Sequence, residues 1–115
     1  HKVTKDHTLV NLLVSTGELT PEQAKFHPRK NLLTRALGAN DPIEIDIFDV
    51  DNNVQGLFLC SDGLTNMVTE EQIEKVLNNK SSIEEQVEKL IKKSNMRGGT
   101  DNISIAYLKK ESGDL

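Results

Sequence analysis

The chain has little aromatic material: its 115 residues contain no Trp, one Tyr and three Phe. A core built from it must therefore rest on Ile, Leu and Val. Cysteine is nearly absent as well. A single residue, Cys60, excludes an internal disulfide and a thiolate zinc site within one chain. Its place in the apolar run Leu57 to Cys60 reads as a small buried hydrophobe. No apolar run approaches the roughly 20 residues of a membrane span, and the first residues lack a charged segment followed by an apolar one. Positive charge is not concentrated either. The formal net charge is -4, with 14 Lys and Arg scattered among 18 acids, which argues against nucleic acid as a partner. These absences describe a soluble protein of a reducing compartment, expected to be cytoplasmic. The length suits one domain. The first residues, His1 and Lys2, replace a Met and lead directly into a structured-looking segment, which suggests a fragment.

The apolar spacing is that of a mixed chain. Asp6 to Val14 reads as a short helix, with Leu9, Val10, Leu13 and Val14 on one face and Gly17 as a stop. Thr20 to Phe26 carries an N-cap, a proline at the first helical position and Gln23 closing a capping box, and His27-Pro28 ends it. Ile43 to Val50 alternates as a half-buried strand, and after a turn at Asp51-Asn52-Asn53 the apolar run Val54 to Cys60 returns as its hairpin partner. Two amphipathic helices follow. One spans about Glu70 to Asn78 behind Thr69 and Gln72, faced by Ile73, Val76 and Leu77; the other spans about Ile83 to Lys93 behind Ser82 and Glu85, faced by Ile83, Val87, Leu90 and Ile91. Arg97 to Asn102 is a polar turn, Ile103 to Leu108 a closing strand, and Lys109 to Leu115 a frayed tail. The expected class is α+β with a mostly antiparallel, three-stranded sheet.

Several motifs fail on inspection. Asp49, Asp51 and Asn53 begin like a calcium loop, but Val54 stands where glycine is needed and Cys60 where glutamate is needed. Cys60 lacks the arginine that a thiol phosphatase needs a few residues on. Gly98-Gly99 lacks the Lys-Ser pair of a nucleotide loop. His7 and His27 lie far apart beside capping or turn residues, where a structural role is the better reading. A repeated geometry survives. Asp62 leaves a strand into a glycine turn, and Asp101 enters a strand from one. Singly, each is an everyday turn sequence. Together, on neighbouring strands, two carboxylates without a local arginine would repel and would be relieved by a hard divalent cation such as Mg²⁺ or Mn²⁺.

Three segments, Val3 to Gly38, "LFLCSDGL" from Leu57 and "GGTDNISIAYL" from Gly98, resemble in order and spacing motifs of the bacterial type 2C serine/threonine phosphatases, the metal-dependent protein phosphatase (PPM) family. The resemblance implies part of a two-sheet antiparallel β-sandwich flanked by helices, incomplete in this chain. Residues 1–115 would be the carboxy-terminal portion of a single catalytic domain, with about 17–32 a flap beside the active site. It implies two or more Mn²⁺ or Mg²⁺ ions per complete domain, with Asp62 and Asp101 as ligands of one and Asp62's counterpart often serving a third, weaker site. Gly63, Gly98, Gly99 and Asn102 would form the supporting turns. Asp6-His7 would be a family landmark without a ligand role. The implied nucleophile is a metal-activated water, so no catalytic side chain is assigned. The implied substrates are phosphoserine and phosphothreonine in proteins, opposed to a serine/threonine kinase. The family's Asp-Gly-x-Gly and Gly-Asp-Ser-Arg motifs have no counterpart in these 115 residues, so the chain alone is expected to be inactive. Half a sandwich would also expose the faces of Ile43/Ile45/Ile47 and Ile103/Ile105 and self-associate. The alternative is a pseudophosphatase or regulatory binding domain of the same fold.

Overall fold

The computed structural model describes residues 1–39 and 41–110. The chain forms two compact units, His1–Asp51 and Asn52–Leu115.

In the first unit, helix α1 spans Leu9–Ser15. It begins later than the apolar spacing suggested. Thr8 is extended (φ -120°, ψ 157°) and its hydroxyl accepts from Asn11 N at 3.2 Å, which satisfies an orphan amide of the first turn and leaves Asp6 and His7 outside the helix. Thr8 also forms an isolated antiparallel bridge with Leu33. Gly17, at φ +83°, turns the chain out of the helix. Helix α2 spans Pro21–Lys25 with both halves of its capping box made: Gln23 N donates to Thr20 Oγ1 at 3.1 Å and Thr20 N donates to Gln23 Oε1 at 2.9 Å. The expected strand from Ile43 to Val50 does not form. Residues 43–50 join no ladder among the described residues, and Ile45 and Ile47 are 77% and 89% exposed. Their alternation is a real strand pattern, but a strand exists only where another supplies its hydrogen bonds. Polar anchors hold the segment instead: Arg35 reaches Glu44 at 3.1 Å and Asp46 at 3.0 Å.

The second unit contains β1 (Gly56–Cys60), α3 (Asp62–Thr65), α4 (Glu70–Leu77), α5 (Ile83–Met96) and β2 (Ile105–Lys109). Among the described residues the sheet has two strands, not three, and β1 pairs antiparallel with β2 from Gly56↔Lys109 to Cys60↔Ile105. The closing strand thus starts two residues later than expected. Lys109 belongs to it, Lys110 N donates to Gln55 O at 2.9 Å, and only 111–115 of the expected tail lie outside the described residues.

Burial alternates along both strands. Phe58, Cys60 and Ile105 face the helices and pack, with Ile103, Met67 and Leu77, against the buried cluster Leu64, Val68, Ile73, Val76 and Leu90. Cys60, expected to be buried, is partly buried against this cluster. Ile103 and Ile105 are not the exposed face that half a sandwich was expected to show, because the helices cover them. The opposite face, with Leu57, Leu59, Ala106 and Leu108, is exposed.

Helix α4 has a complete capping box from Thr69 and Gln72. In α5 the Ser82 hydroxyl accepts from Glu85 N at 3.2 Å, and the helix runs three residues past the expected end. Its deepest residues are Gln86, Leu90 and Ser94. Gln86 Nε2 donates to Asn79 O at 2.8 Å and Ser81 O at 3.2 Å, tying the α4–α5 connection to the helix below it.

Candidate metal centre

At the end of β1 the ladder converts into a loop clasp. Ser61 N donates to Ser104 O at 2.9 Å, continuing the strand pairing by one residue. The next bond comes from a side chain: Ser104 N donates to Ser61 Oγ at 3.0 Å, and that hydroxyl lies 3.4 Å from Asn102 O. Ser61 stands at the N-cap of α3 in extended conformation but makes no side-chain cap. Its hydroxyl is committed across the sheet end instead.

Gly63 then packs directly on the opposite loop. A Cβ built there would lie 2.1 Å from Asn102 O and 2.9 Å from Asn102 C, so only glycine permits this approach. The sequence reading gave Gly63 a turn; it lies inside the short helix α3, and close backbone contact is what requires it. Asp62 precedes Gly63 and Asp101 precedes Asn102. The two sequence-predicted carboxylates therefore flank the tightest backbone contact between the two loops, at one end of the sheet. Both residues are exposed. Asp101 Oδ1 accepts from its neighbour Asn102 N at 2.7 Å, the local capping that its turn sequence allowed.

On the Asp101 side, Gly98 and Gly99 adopt φ +127° and +52°, where side chains are strained, so both support a sharp exit from α5. The loop is fastened at its root. Arg97 Nη1 donates to Met67 O at 3.1 Å and to Gln72 Oε1 at 2.6 Å. Buried Ser94 donates from Oγ to Gly63 O at 2.9 Å. Sequence reasoning missed Ser61, Ser94 and Arg97. The available signal was the spacing 86, 90, 94, which puts two polar residues on the buried stripe of an amphipathic helix.

His7 Nε2 lies 2.9 Å from Asp46 Oδ2, and His27 Nδ1 accepts from Arg29 N at 3.0 Å, so each has a structural partner within the first unit. Arg35 and His7 both hydrogen-bond to the Asp46 carboxylate and hold its pKa below the ordinary value of 3.8.

The donor set at the sheet end is all oxygen. Asp62 and Asp101 are in no ion pair with Lys or Arg among the described residues. Such donors fit a hard cation of the Mg²⁺ or Mn²⁺ type and not zinc. Among the described residues no group of three or more His, Cys, Asp or Glu could hold a metal ion. Asp62 and Asp101 thus stand beside one backbone contact without forming a closed cage among the described residues.

No protein-family model matches the chain. Curated proteins do. The serine/threonine phosphatase stp of Listeria welshimeri serovar 6b is 46% identical over 110 residues, covering 95% of this chain and 44% of that protein. A protein of Streptococcus pyogenes serotype M6 named as phosphatase 2C-type is 41% identical over 114 residues, covering 98% of this chain and 46% of its own length. Among solved structures, Stp1 from Staphylococcus aureus superposes with a TM-score of 0.91 at 33% identity, over 97% of this chain and 44% of that one. The catalytic domain of PstP in complex with two manganese ions gives 0.76 at 32% identity, over 93% and 44%.

Fold and sequence together are similar to part of the bacterial serine/threonine phosphatases. The chain belongs to the type 2C serine/threonine phosphatases and corresponds to their carboxy-terminal part, spanning a little under half the length of the curated relatives it matches. No helix among the described residues is long and apolar enough to cross a membrane.

Proposed function

We propose that this chain supplies one side of the metal centre of a phosphoprotein phosphatase that hydrolyses phosphoserine and phosphothreonine. The observation that carries the reading is the Gly63–Asn102 backbone contact, which keeps Asp62 and Asp101 at the same end of one sheet. In this reading the two carboxylates bind one Mn²⁺ or Mg²⁺ ion. When bound, such cations supply charge neutralisation at the phosphoryl oxygens and an activated water for in-line attack. The chain's own residues do the rest of the work assigned to it. Asp62 and Asp101 orient and neutralise the cation, while Gly63, Gly98, Gly99 and Asn102 set the backbone that carries them.

Residues 1–115 form the carboxy-terminal portion of a single catalytic domain, and residues 17–32, which include α2, act as the flap that influences substrate access. The enzyme acts in the cytoplasm on proteins phosphorylated by an opposing serine/threonine kinase. The chain alone is inactive, because it offers only two carboxylates, and it self-associates. The alternative is a pseudophosphatase or regulatory binding domain of this fold without turnover.

The test is manganese-dependent hydrolysis of a phosphopeptide by a protein of the relatives' full length that carries this chain. Asp62→Ala and Asp101→Ala should each lower the rate at limiting Mn²⁺ by more than the roughly 10–100-fold lost when groups that merely orient a ligand are removed. Full activity of Asp101→Ala at limiting metal would refute the ligand assignment, and an inactive unmutated protein would favour the regulatory alternative.

A further inference from the structure

The two aspartate loops are not joined by the sheet alone. From Ser94 the chain runs through Arg97, Gly98, Gly99 and Asp101 to Asn102, and both ends of that segment touch the same residue. Ser94 Oγ donates to Gly63 O at 2.9 Å, and Asn102 O lies against the Gly63 backbone. The segment is therefore closed into a ring at Gly63, with Asp62 next to the closure and Asp101 within the ring.

The chemistry at the closure is specific. Around α3, Met67 N donates to Leu64 O at 3.0 Å, and no described backbone amide outside the helix donates to Gly63 O. The hydroxyl of Ser94 takes this carbonyl. Ser94 is fully buried, one turn beyond Leu90 on the stripe that faces the core. The hydroxyl adds only the bond to Gly63. Arg97 fixes the middle of the ring. Its guanidinium bridges Met67 O and Gln72 Oε1, and Gln72 Oε1 also accepts from Thr69 N at 3.1 Å, so the root of the Gly98–Asp101 loop is strapped to the start of α4. Gly99 N donates back to Ser94 O at 3.2 Å.

We propose that Ser94 and Arg97 are positioning residues for the metal centre: from the end of α5 they hold the Asp62 and Asp101 loops at a fixed separation, matched to one divalent cation. The cation part rests on the reading of Asp62 and Asp101 as ligands, and the positioning part stands without it. A residue that merely stabilised the fold would loosen the whole unit when removed. A positioning residue loosens the two loops selectively.

Amide hydrogen exchange followed by NMR on the 115-residue chain separates these. Losing a hydrogen bond that satisfies a buried carbonyl should accelerate local opening by roughly tenfold or more. In Ser94→Ala, Leu64 and Ser104, whose amides bond to Ser61 O and Ser61 Oγ, should exchange roughly tenfold faster, while Ile73 in α4 should change by less than about twofold. In Arg97→Met, whose side chain is exposed, Gly99 should accelerate in the same way and Leu64 should not. Titration with Mn²⁺ alone, read as paramagnetic broadening of amides at 62–64 and 101–103, should need roughly threefold more metal in either variant, a small shift in coupling free energy. Uniform acceleration, or none at Leu64 and Ser104, would overturn the positioning role. Absence of broadening in the unmutated chain would instead overturn the cation reading, leaving the exchange data to decide the rest. Should Ser94→Ala not fold, Arg97→Met decides: unchanged exchange at Gly99 would refute the strap.

Discussion

An alanine at position 63 has no room for its methyl group. The obstructing atoms are Asn102 O and C, which belong to backbone and cannot rotate away as a side chain would. Overpacking of this kind commonly costs roughly 1–3 kcal/mol, and a backbone obstruction belongs at the upper end. Gly63→Ala should therefore lower the urea midpoint and, because relief requires the loops to part, weaken Mn²⁺ binding as well. An unchanged midpoint would show that the close approach is not real. A second residue-scale outcome concerns Asp46. Arg35 is the larger cause of its lowered pKa and His7 the next. The folded value lies below the unfolded one, so the favourable contribution is present above the ordinary value of 3.8 and is lost as pH falls through the folded value. The cluster is solvated, so the effect on global stability is slight. NMR titration should place the Asp46 carboxyl midpoint below 3.8, and Arg35→Gln should raise it. A midpoint that ignored the substitution would mean that the guanidinium contact does not persist in solution.

Helix starts were the most legible elements, because capping is written in four consecutive residues. Thr20 with Gln23 and Thr69 with Gln72 make the boxes their sequences announce, and Ser82 caps α5 as expected. Thr69→Ala should cost about 1 kcal/mol, measured by thermal or urea unfolding. Gln72 should cost more than its capping share when replaced by Ala, since its Oε1 also receives Arg97; equal losses for the two variants would show that the Arg97 contact adds nothing. Where the sequence misled, the deciding partner was distant. Ile43 to Val50 carries a strand's alternation, yet alternation records only which side chains want burial, not whether a ladder partner is present. Asp6 at the start of α1 lost to Thr8 because a hydroxyl with an extended backbone caps better than spacing reveals. The site divides in the same way. Asp62 and Asp101 stood out because glycine punctuates strand ends. Ser61, Ser94 and Arg97 did not, because their bonds cross 25 to 43 positions of sequence, a separation that no local pattern encodes.

At the scale of the whole chain, the two strands of the second unit carry two apolar faces and enough helix to cover one. Phe58, Cys60 and Ile105 are taken up by the core under α4 and α5, while Leu57, Leu59 and Leu108 on the reverse face are 36%, 51% and 69% exposed. Register makes that face continuous, since Leu57 stands opposite Leu108 and Leu59 opposite Ala106. A contiguous apolar face on a two-stranded sheet is normally covered, and the covering layer is not supplied by the described residues of this unit. The relatives, of which the chain spans 44–47%, have more than this length of chain from which to supply one. Alone in solution, the 115-residue chain should therefore associate through this face, and sedimentation equilibrium should report species heavier than the monomer. The double variant Leu59→Lys/Leu108→Lys places two charges on exposed positions without touching the helix-facing residues, so it should return the chain to monomer while leaving its helical circular dichroism intact. Ile45 and Ile47 in the first unit provide the control: if Ile45→Lys/Ile47→Lys dissolves the assembly and the sheet variant does not, the sticky surface belongs to the unpaired segment. A compact monomer for the unmutated chain would mean that neither surface drives association.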